Sequence, residues 1–271
     1  MDTLSPIGVF DSGIGGLSVT QHIQAMLPDE HLIYFADSKY NPYGDKPEAF
    51  IIERSYKITD FLLNQGIKAL VVACNTATAA AIHLLRNRYP NLPIIGVEPG
   101  LKPATVKTRS SIVGVMATVR TLSSHKFHEL HQLLSQQSGV TFILQPCPGL
   151  ADLIEHENIE SIKVIQTIRT YLLPLLDKKA DTIVLGCTHY PFVRHIIKQL
   201  ATEAGHPELM IIDTGHAIAR QLKHVLQNNH LLNTNKNTAH FEIFTSGNVP
   251  LITQIVKRLL KMNYPITQAL F

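Results

Sequence analysis

Cys74 and Cys187 occupy matching places in the chain. Residues 70–76 read Leu-Val-Val-Ala-Cys-Asn-Thr, and residues 183–189 read Ile-Val-Leu-Gly-Cys-Thr-His. Each is a short apolar run of the kind that makes a buried strand, and each stops at a cysteine with amide or hydroxyl groups immediately after it. If the two strands belong to matching halves, the thiols face one cleft. Opposed thiols suit a reaction that removes a proton from one face of a carbon and returns one to the other. A helix N-terminus and a nearby imidazolium both favour thiolate. Of the 14 histidines, His189 has a local context that suggests work.

Rival readings of the same residues can be weighed. A buried free cysteine is most often structural, and Cys147, enclosed in Pro146-Cys147-Pro148-Gly149, reads that way. Zinc would need more ligands at ligand spacing: Cys187 and His189 are two apart, with no Cys-x-x-Cys. A cysteine hydrolase would use one cysteine with a histidine and leave Cys74 unexplained. Asp11-Ser12-Gly13-Ile14-Gly15-Gly16 follows an apolar strand and opens a helix. It is either a tight turn or a cradle whose amides meet a carboxylate or phosphate. It lacks the third glycine of a dinucleotide fingerprint and the Lys-Ser/Thr pair of a phosphate loop.

The elements that must position these groups alternate. Strands are predicted at 7–10, 31–36, 69–73 and 93–97, with helices over 17–27, 46–64 and 76–88. The pattern then restarts. Strands are predicted at 111–116, 141–144, 182–185 and 210–212, with helices over 123–135, from 150, and over 162–176, 191–204 and to about 227. A late strand at 241–245 and a helix over 249–261 close the chain. Such β-α repetition implies α/β architecture: two similar domains, each a mainly parallel sheet flanked by helices. The linkers Glu98-Pro99-Gly100 and Gly205-His206-Pro207 divide the chain into a first domain, 1–98 plus 210–271, and a second, 99–209. A boundary in the Asn228–Asn237 region is the alternative.

Bulk composition narrows the class. At 271 residues, 45% apolar and 17% charged, the chain suits a globular protein with a large core. The net charge of +3 comes without a basic block, so nucleic-acid binding has no support. No run of 18 apolar residues occurs, and the first residues lack the basic and apolar regions of a signal peptide. Three widely spaced cysteines form no disulfide framework. The expectation is a cytoplasmic protein with no membrane partner.

The strings DSGIGG (11–16), ADSKYNPYG (36–44), VVACNTATA (71–79), GVMATVRT (114–121) and VLGCTHYP (184–191) resemble the cofactor-independent glutamate racemases, in family order. The resemblance covers nearly the whole chain; the final 35 or so residues match loosely. It implies an active site between two α/β domains, with Cys74 and Cys187 as the acid/base pair and Asp11, Glu155 and His189 as auxiliary polar residues. Its substrate contacts fall on Asp11, Ser12, Tyr43, Gly44, Asn75, Thr76, Thr118, Thr121, Thr188 and His189. Where the family often has Pro, this chain has Asp152, which loosens the placing of Glu155. The implied reaction interconverts L- and D-glutamate, supplying D-glutamate for peptidoglycan, with no cofactor or metal. The implied partners are the small-molecule substrate, a second copy of the chain in a homodimer and, in some members, a cell-wall precursor such as UDP-N-acetylmuramoyl-L-alanine as activator.

The chemistry of the residues agrees. Racemases that use pyridoxal phosphate anchor it on a lysine, and no lysine here sits at a comparable strand end. Two alternatives stay open: an aspartate racemase of the same superfamily, and a ligand-binding protein on this fold without catalysis. Aspartate racemases typically carry Gly-Gly-x-Gly-Pro at the start and Glu after the second Cys-Thr. This chain has Asp11-Ser12-Gly13 and His189 there instead.

Overall fold

The structure is a computed structural model that describes residues 2–235 and 239–271. In chain order its elements begin β1 (Ile7–Asp11), α1 (Leu17–Met26), β2 (Leu32–Ala36), α2 (Glu48–Asn64), β3 (Ala69–Val72), α3 (Asn75–Arg88) and β4 (Ile94–Gly96). There follow α4 (Leu101–Lys107), β5 (Ile112–Ala117), α5 (Val119–Ser123), α6 (His125–Ser138), β6 (Thr141–Pro146), α7 (Leu150–His156), α8 (Ile162–Asp177), β7 (Thr182–Gly186), α9 (Arg194–Glu203) and β8 (Met210–Ile212). The chain ends with α10 (Gly215–Asn228), β9 (Phe241–Thr245), α11 (Val249–Leu260) and β10 (Ile266–Gln268).

Two compact units result, Met1–Val97 with Gly215–Phe271, and Glu98–Thr214. The expected division ended the second domain at 209. That position is corrected, because β8 pairs in register with β7, Thr182 opposite Met210. Backbone hydrogen bonds therefore tie 210–212 to the second sheet. The alternative boundary at Asn228–Asn237 falls partly on residues 236 and 237, which lie outside the described residues. Residues 215–228 form the continuous helix α10.

The first unit holds a six-stranded sheet in the order β10-β9-β2-β1-β3-β4, and every ladder in it is parallel. Strands β1, β2 and β3 are buried throughout. That explains why they read as continuous apolar runs rather than alternating ones. The chain leaves β1 to pair β2 on one side and later places β3 on the other. This reversal makes the carboxyl ends of β1 and β3 a topological switch point, where ligands of open α/β sheets bind.

The second unit repeats the scheme with four parallel strands in the order β6-β5-β7-β8. Here the reversal lies between β5 and β7. Helices α7, α8 and α9 pack Leu150, Ile154, Ile168, Leu172, Leu175 and Ile197 on one face of this sheet. Leu101, Leu122, Phe127 and Leu134 cover the other.

Two elements were not expected. Helix α4 follows Pro99-Gly100 and contains Pro103, so its seven residues carry a breaker signal inside a real helix. Strand β10 is short and half-exposed at the sheet edge, with too few apolar residues to declare itself. The predicted helix over 191–204 divides into a 3-10 turn, Tyr190–Val193, and α9. The predicted helix near 123–135 becomes α5 and α6, each opened by its own capping side chain, Thr118 and Ser124.

Candidate active site

At the switch point of the first sheet, Asp11 ends β1 and Cys74 precedes α3. Both are buried, and the strand ends are locked together by Ala73 N–H donating to Phe10 O at 2.8 Å. The Cys74 sulfur caps α3 by accepting from the Ala77 amide at 3.4 Å, and the thiol donates toward Ser12 Oγ at 3.9 Å. Burial, then the Asp11 charge, pushes the Cys74 thiol well above its ordinary value, so it holds its proton.

The Gly-rich turn is already occupied. Asp11 Oδ1 accepts from Ser12 N at 2.7 Å and Oδ2 from Gly16 N at 2.5 Å. The anion at the start of α1 is thus the protein's own carboxylate. The left-handed glycines are 66, 139, 149 and 205, none of them in this turn. Gly16 answers a close approach instead: an added Cβ would stand 2.9 Å from both Asp11 Cβ and Tyr34 Oη.

The loop after β2 supplies Asn41, Tyr43 and Gly44. Tyr43 is buried, and its hydroxyl donates to Asp37 Oδ2 at 2.5 Å. Arg54 holds the same carboxylate through two bonds, Nε to Oδ2 at 2.9 Å and Nη2 to Oδ1 at 2.8 Å. The Tyr43 hydroxyl is therefore spent on Asp37. Burial and the Asp37 charge keep it protonated, and Cys74 is close enough to add to that effect. Gly44 follows in the half-buried 3-10 turn Tyr43–Asp45. Asn75 and Thr76 open α3 and are buried, and Asn75 Oδ1 has no hydrogen-bond partner in the protein.

The switch point of the second sheet carries the other cysteine. Cys187 follows β7, and its sulfur lies 3.8 Å from His189 Nδ1. The other ring nitrogen, Nε2, meets Glu155 Oε2 on α7 at 2.6 Å, with both side chains buried. Burial opposes a charge on His189. The Cys187 sulfur and the Glu155 carboxylate outweigh it, and the imidazole is held well above its ordinary value as imidazolium. Thr118, which follows β5, caps α5 by accepting from Thr121 N at 3.2 Å and donates to Thr121 Oγ1 at 2.9 Å. Thr188 is buried beside Cys187. Cys147 is buried too, its thiol directed at Gln145 O at 3.3 Å.

Each expected site residue therefore lies at the switch point of its own sheet or on the element packed beside it. Residues 7–222 match the Asp/Glu/Hydantoin racemase family. The chain belongs to this family. It is 48% identical over 256 residues to a glutamate racemase of Ralstonia nicotianae, covering 94% of this chain and 90% of the relative. Among solved structures it is similar to the glutamate racemase isoform RacE1 of Bacillus anthracis. That match has a TM-score of 0.86 and 32% identity, covering 98% of this chain and 97% of the other. It is also similar to Escherichia coli glutamate racemase, solved with L-glutamate and the activator UDP-MurNAc-Ala. There the TM-score is 0.84 and the identity 32%, covering 97% of each chain.

Sequence reasoning did not single out Asp37 and Arg54, which hold Tyr43, or Asn41, which lies against Ser12. Arg54 had a readable signal. It falls on the buried stripe of α2 with Ile51, Ile58 and Leu62, and a charge on an apolar stripe implies a buried partner. Asn41 had none, because nothing in a polar loop tells which side chain folds inward.

Proposed function

We propose that Cys74 and Cys187 are the two bases of this enzyme and that one substrate Cα is reached by both. The chain is a glutamate racemase, an amino-acid isomerase that works without pyridoxal phosphate, and its D-glutamate serves peptidoglycan synthesis. The observation that supports the site assignment is the repetition of one arrangement. Each parallel sheet presents a buried cysteine at its switch point, and each cysteine has a carboxylate-bearing partner: Asp11 for Cys74, and His189 with Glu155 for Cys187.

The reaction then runs as two proton transfers. A thiolate takes the Cα proton from one face and becomes a thiol. The carbanion left behind takes the proton of the opposite thiol on its other face, and that sulfur becomes the thiolate. Atoms and charge balance, and the two sulfurs have exchanged roles. In the unliganded protein Cys74 carries the proton, and the Cys187 sulfur faces the His189 imidazolium. Asn75 Oδ1, an acceptor, suits the substrate ammonium. Thr76, Thr121 and Thr188 offer hydroxyls to its carboxylates, Ser12 and Thr118 hold neighbouring side chains in place, and Tyr43 and Gly44 shape the wall. Exclusion of water strengthens each of these contacts.

Polarimetry with L-glutamate and with L-aspartate tests the activity, with no pyridoxal phosphate, nucleotide or metal added. Rotation should decay to zero with glutamate and hold with aspartate, and dialysis against a chelator should leave the rate unchanged. Dependence on an added cofactor, or loss of rotation with aspartate alone, overturns the reading. The reading also expects a homodimer acting in the cytoplasm. A precursor of the UDP-MurNAc-Ala type is expected as activator, by analogy with the Escherichia coli enzyme. Light scattering and rate titration with that precursor check these two expectations.

A further inference from the structure

Asn41 lies in the loop that follows β2, beside the residues that surround Cys74. Its Oδ1 stands 3.4 Å from Ser12 Oγ, and Ser12 Oγ is 3.9 Å from the Cys74 sulfur. The amide nitrogen Nδ2 is buried and has no hydrogen-bond partner in the protein. A buried donor left unmade is costly, and natural folds retain few of them. Asn75 Oδ1, at the start of α3, is buried and unpartnered as well. One switch point thus holds an unmade donor and an unmade acceptor, which is what an amino acid zwitterion with a second carboxylate would satisfy.

The spacing selects the atom that Asn41 meets. Cys74 must approach Cα itself. The α-carboxyl carbon is one bond from Cα, whereas the side-chain carboxyl carbon is three bonds away in glutamate and two in aspartate. Asn41 does not touch the sulfur: the Ser12 hydroxyl oxygen stands between them, 3.4 Å from Asn41 Oδ1 and 3.9 Å from the Cys74 sulfur. Its neighbour on the other side is the Tyr43 turn, whose hydroxyl is tied to Asp37 and cannot donate to a ligand as well. We propose that the Asn41 amide N–H donates to the side-chain carboxylate of the bound substrate and favours glutamate over aspartate. The Ser12 hydroxyl holds Oδ1 and aims the amide. This inference rests on Cys74 being one of the two bases.

Steady-state kinetics of Asn41→Ala, with L-norvaline as a competitive inhibitor, tests it. L-norvaline has the carbon chain of glutamate with a methyl in place of the side-chain carboxylate. Loss of one hydrogen bond to a charged group should raise KM for L-glutamate about tenfold or more, with kcat little changed. The inhibition constant of norvaline should not move. Asn41→Asp, which sets a carboxylate against a carboxylate, should raise KM further still. Asn41→Ser substitutes if the alanine variant does not fold, with the melting temperature as the check. Equal weakening of glutamate and norvaline would make Asn41 a shaping residue and overturn the proposal, as would an unchanged KM. Cys74→Ser separates the two failures. If it stays active, the site reading falls whatever Asn41 does. If it is dead while Asn41→Ala keeps its KM, only the Asn41 role falls.

Discussion

Glu155 Oε2 lies 2.6 Å from His189 Nε2, with both side chains withdrawn from solvent. A carboxylate on α7 thereby fixes the orientation and charge of a ring whose other nitrogen faces Cys187. The pair places a buried imidazolium beside the Cys187 sulfur. Asp11 performs a different service for Cys74, because it opposes negative charge there rather than welcoming it. The two half-sites share a topology and differ in sign.

Glu155→Gln follows from that pair. Burial alone would push His189 down, and the Cys187 sulfur and Glu155 hold it up. Removing the Glu155 charge lowers the imidazole value, so the imidazolium disappears at lower pH. The alkaline limb of the kcat/KM profile should therefore move to lower pH. Stability has the same sign. A histidine raised by folding stabilises fully below its unfolded value of about 6.5, and the gain is lost as pH rises through the folded value. The melting-temperature gap between wild type and Glu155→Gln should be widest near pH 6 and close on the alkaline side. A gap that widens with pH would mean that His189 is neutral in the folded enzyme.

His189→Asn should act unequally on the two directions. The family resemblance assigns Cys187 to the L-enantiomer. Without the imidazolium, kcat for L-glutamate should fall more than kcat for D-glutamate, because Cys187 is the base only in the first. The equilibrium constant between enantiomers is one, so both kcat/KM values must fall together. The asymmetry is confined to kcat and KM taken separately. Progress curves from each enantiomer measure it, and equal losses in both kcat values would leave His189 as a binding residue.

Arg54→Met should destabilise the first unit. Arg54 is the guanidinium partner of a fully buried Asp37 and also reaches the Phe271 backbone oxygen at 3.2 Å. Breaking one side of a buried ion pair costs about 3–5 kcal/mol, because a desolvated charge is left behind. The urea midpoint should fall accordingly. Tyr43 loses its anchor in the same step, so whatever activity survives should show a raised KM. An unchanged midpoint would mean that the Asp37 carboxylate finds water instead.

The sequence carried the parallel sheets legibly, because β1, β3, β5 and β7 are buried on both faces and leave unbroken apolar runs. The two cysteines were legible as well, since each ends such a run and is followed by polar groups at the start of the next turn or helix. Glu155 was less so: its distance from His189 in sequence is 34 residues, and only the packing of α7 beside the 3-10 turn Tyr190–Val193 brings the carboxylate to the ring. The Gly-rich turn misled in one respect. Its amides look open to an external anion, yet the residue that begins the motif, Asp11, folds back to fill them. Strand ends declare themselves through hydrophobic pattern, whereas side-chain direction in a loop is decided by tertiary contacts that leave no periodic trace.

The cysteines provide the decisive test. Serine keeps the shape of cysteine, but its hydroxyl ionises far above working pH, so that position can no longer act as a base. Cys74→Ser and Cys187→Ser should each lower racemisation about a hundredfold to ten-thousandfold, the usual worth of a positioned general acid or base. Cys147→Ser is the control, because that thiol is directed at the Gln145 carbonyl and has no such role; it should keep close to the wild-type rate. Exchange in heavy water separates the faces. A protein that retains only Cys74 should wash out the Cα proton of D-glutamate and spare that of L-glutamate, and one that retains only Cys187 should do the reverse. NMR of the recovered substrate reads both outcomes. Brisk racemisation by either single-cysteine variant would mean that one group serves both faces, and the two-thiol mechanism would have to be abandoned.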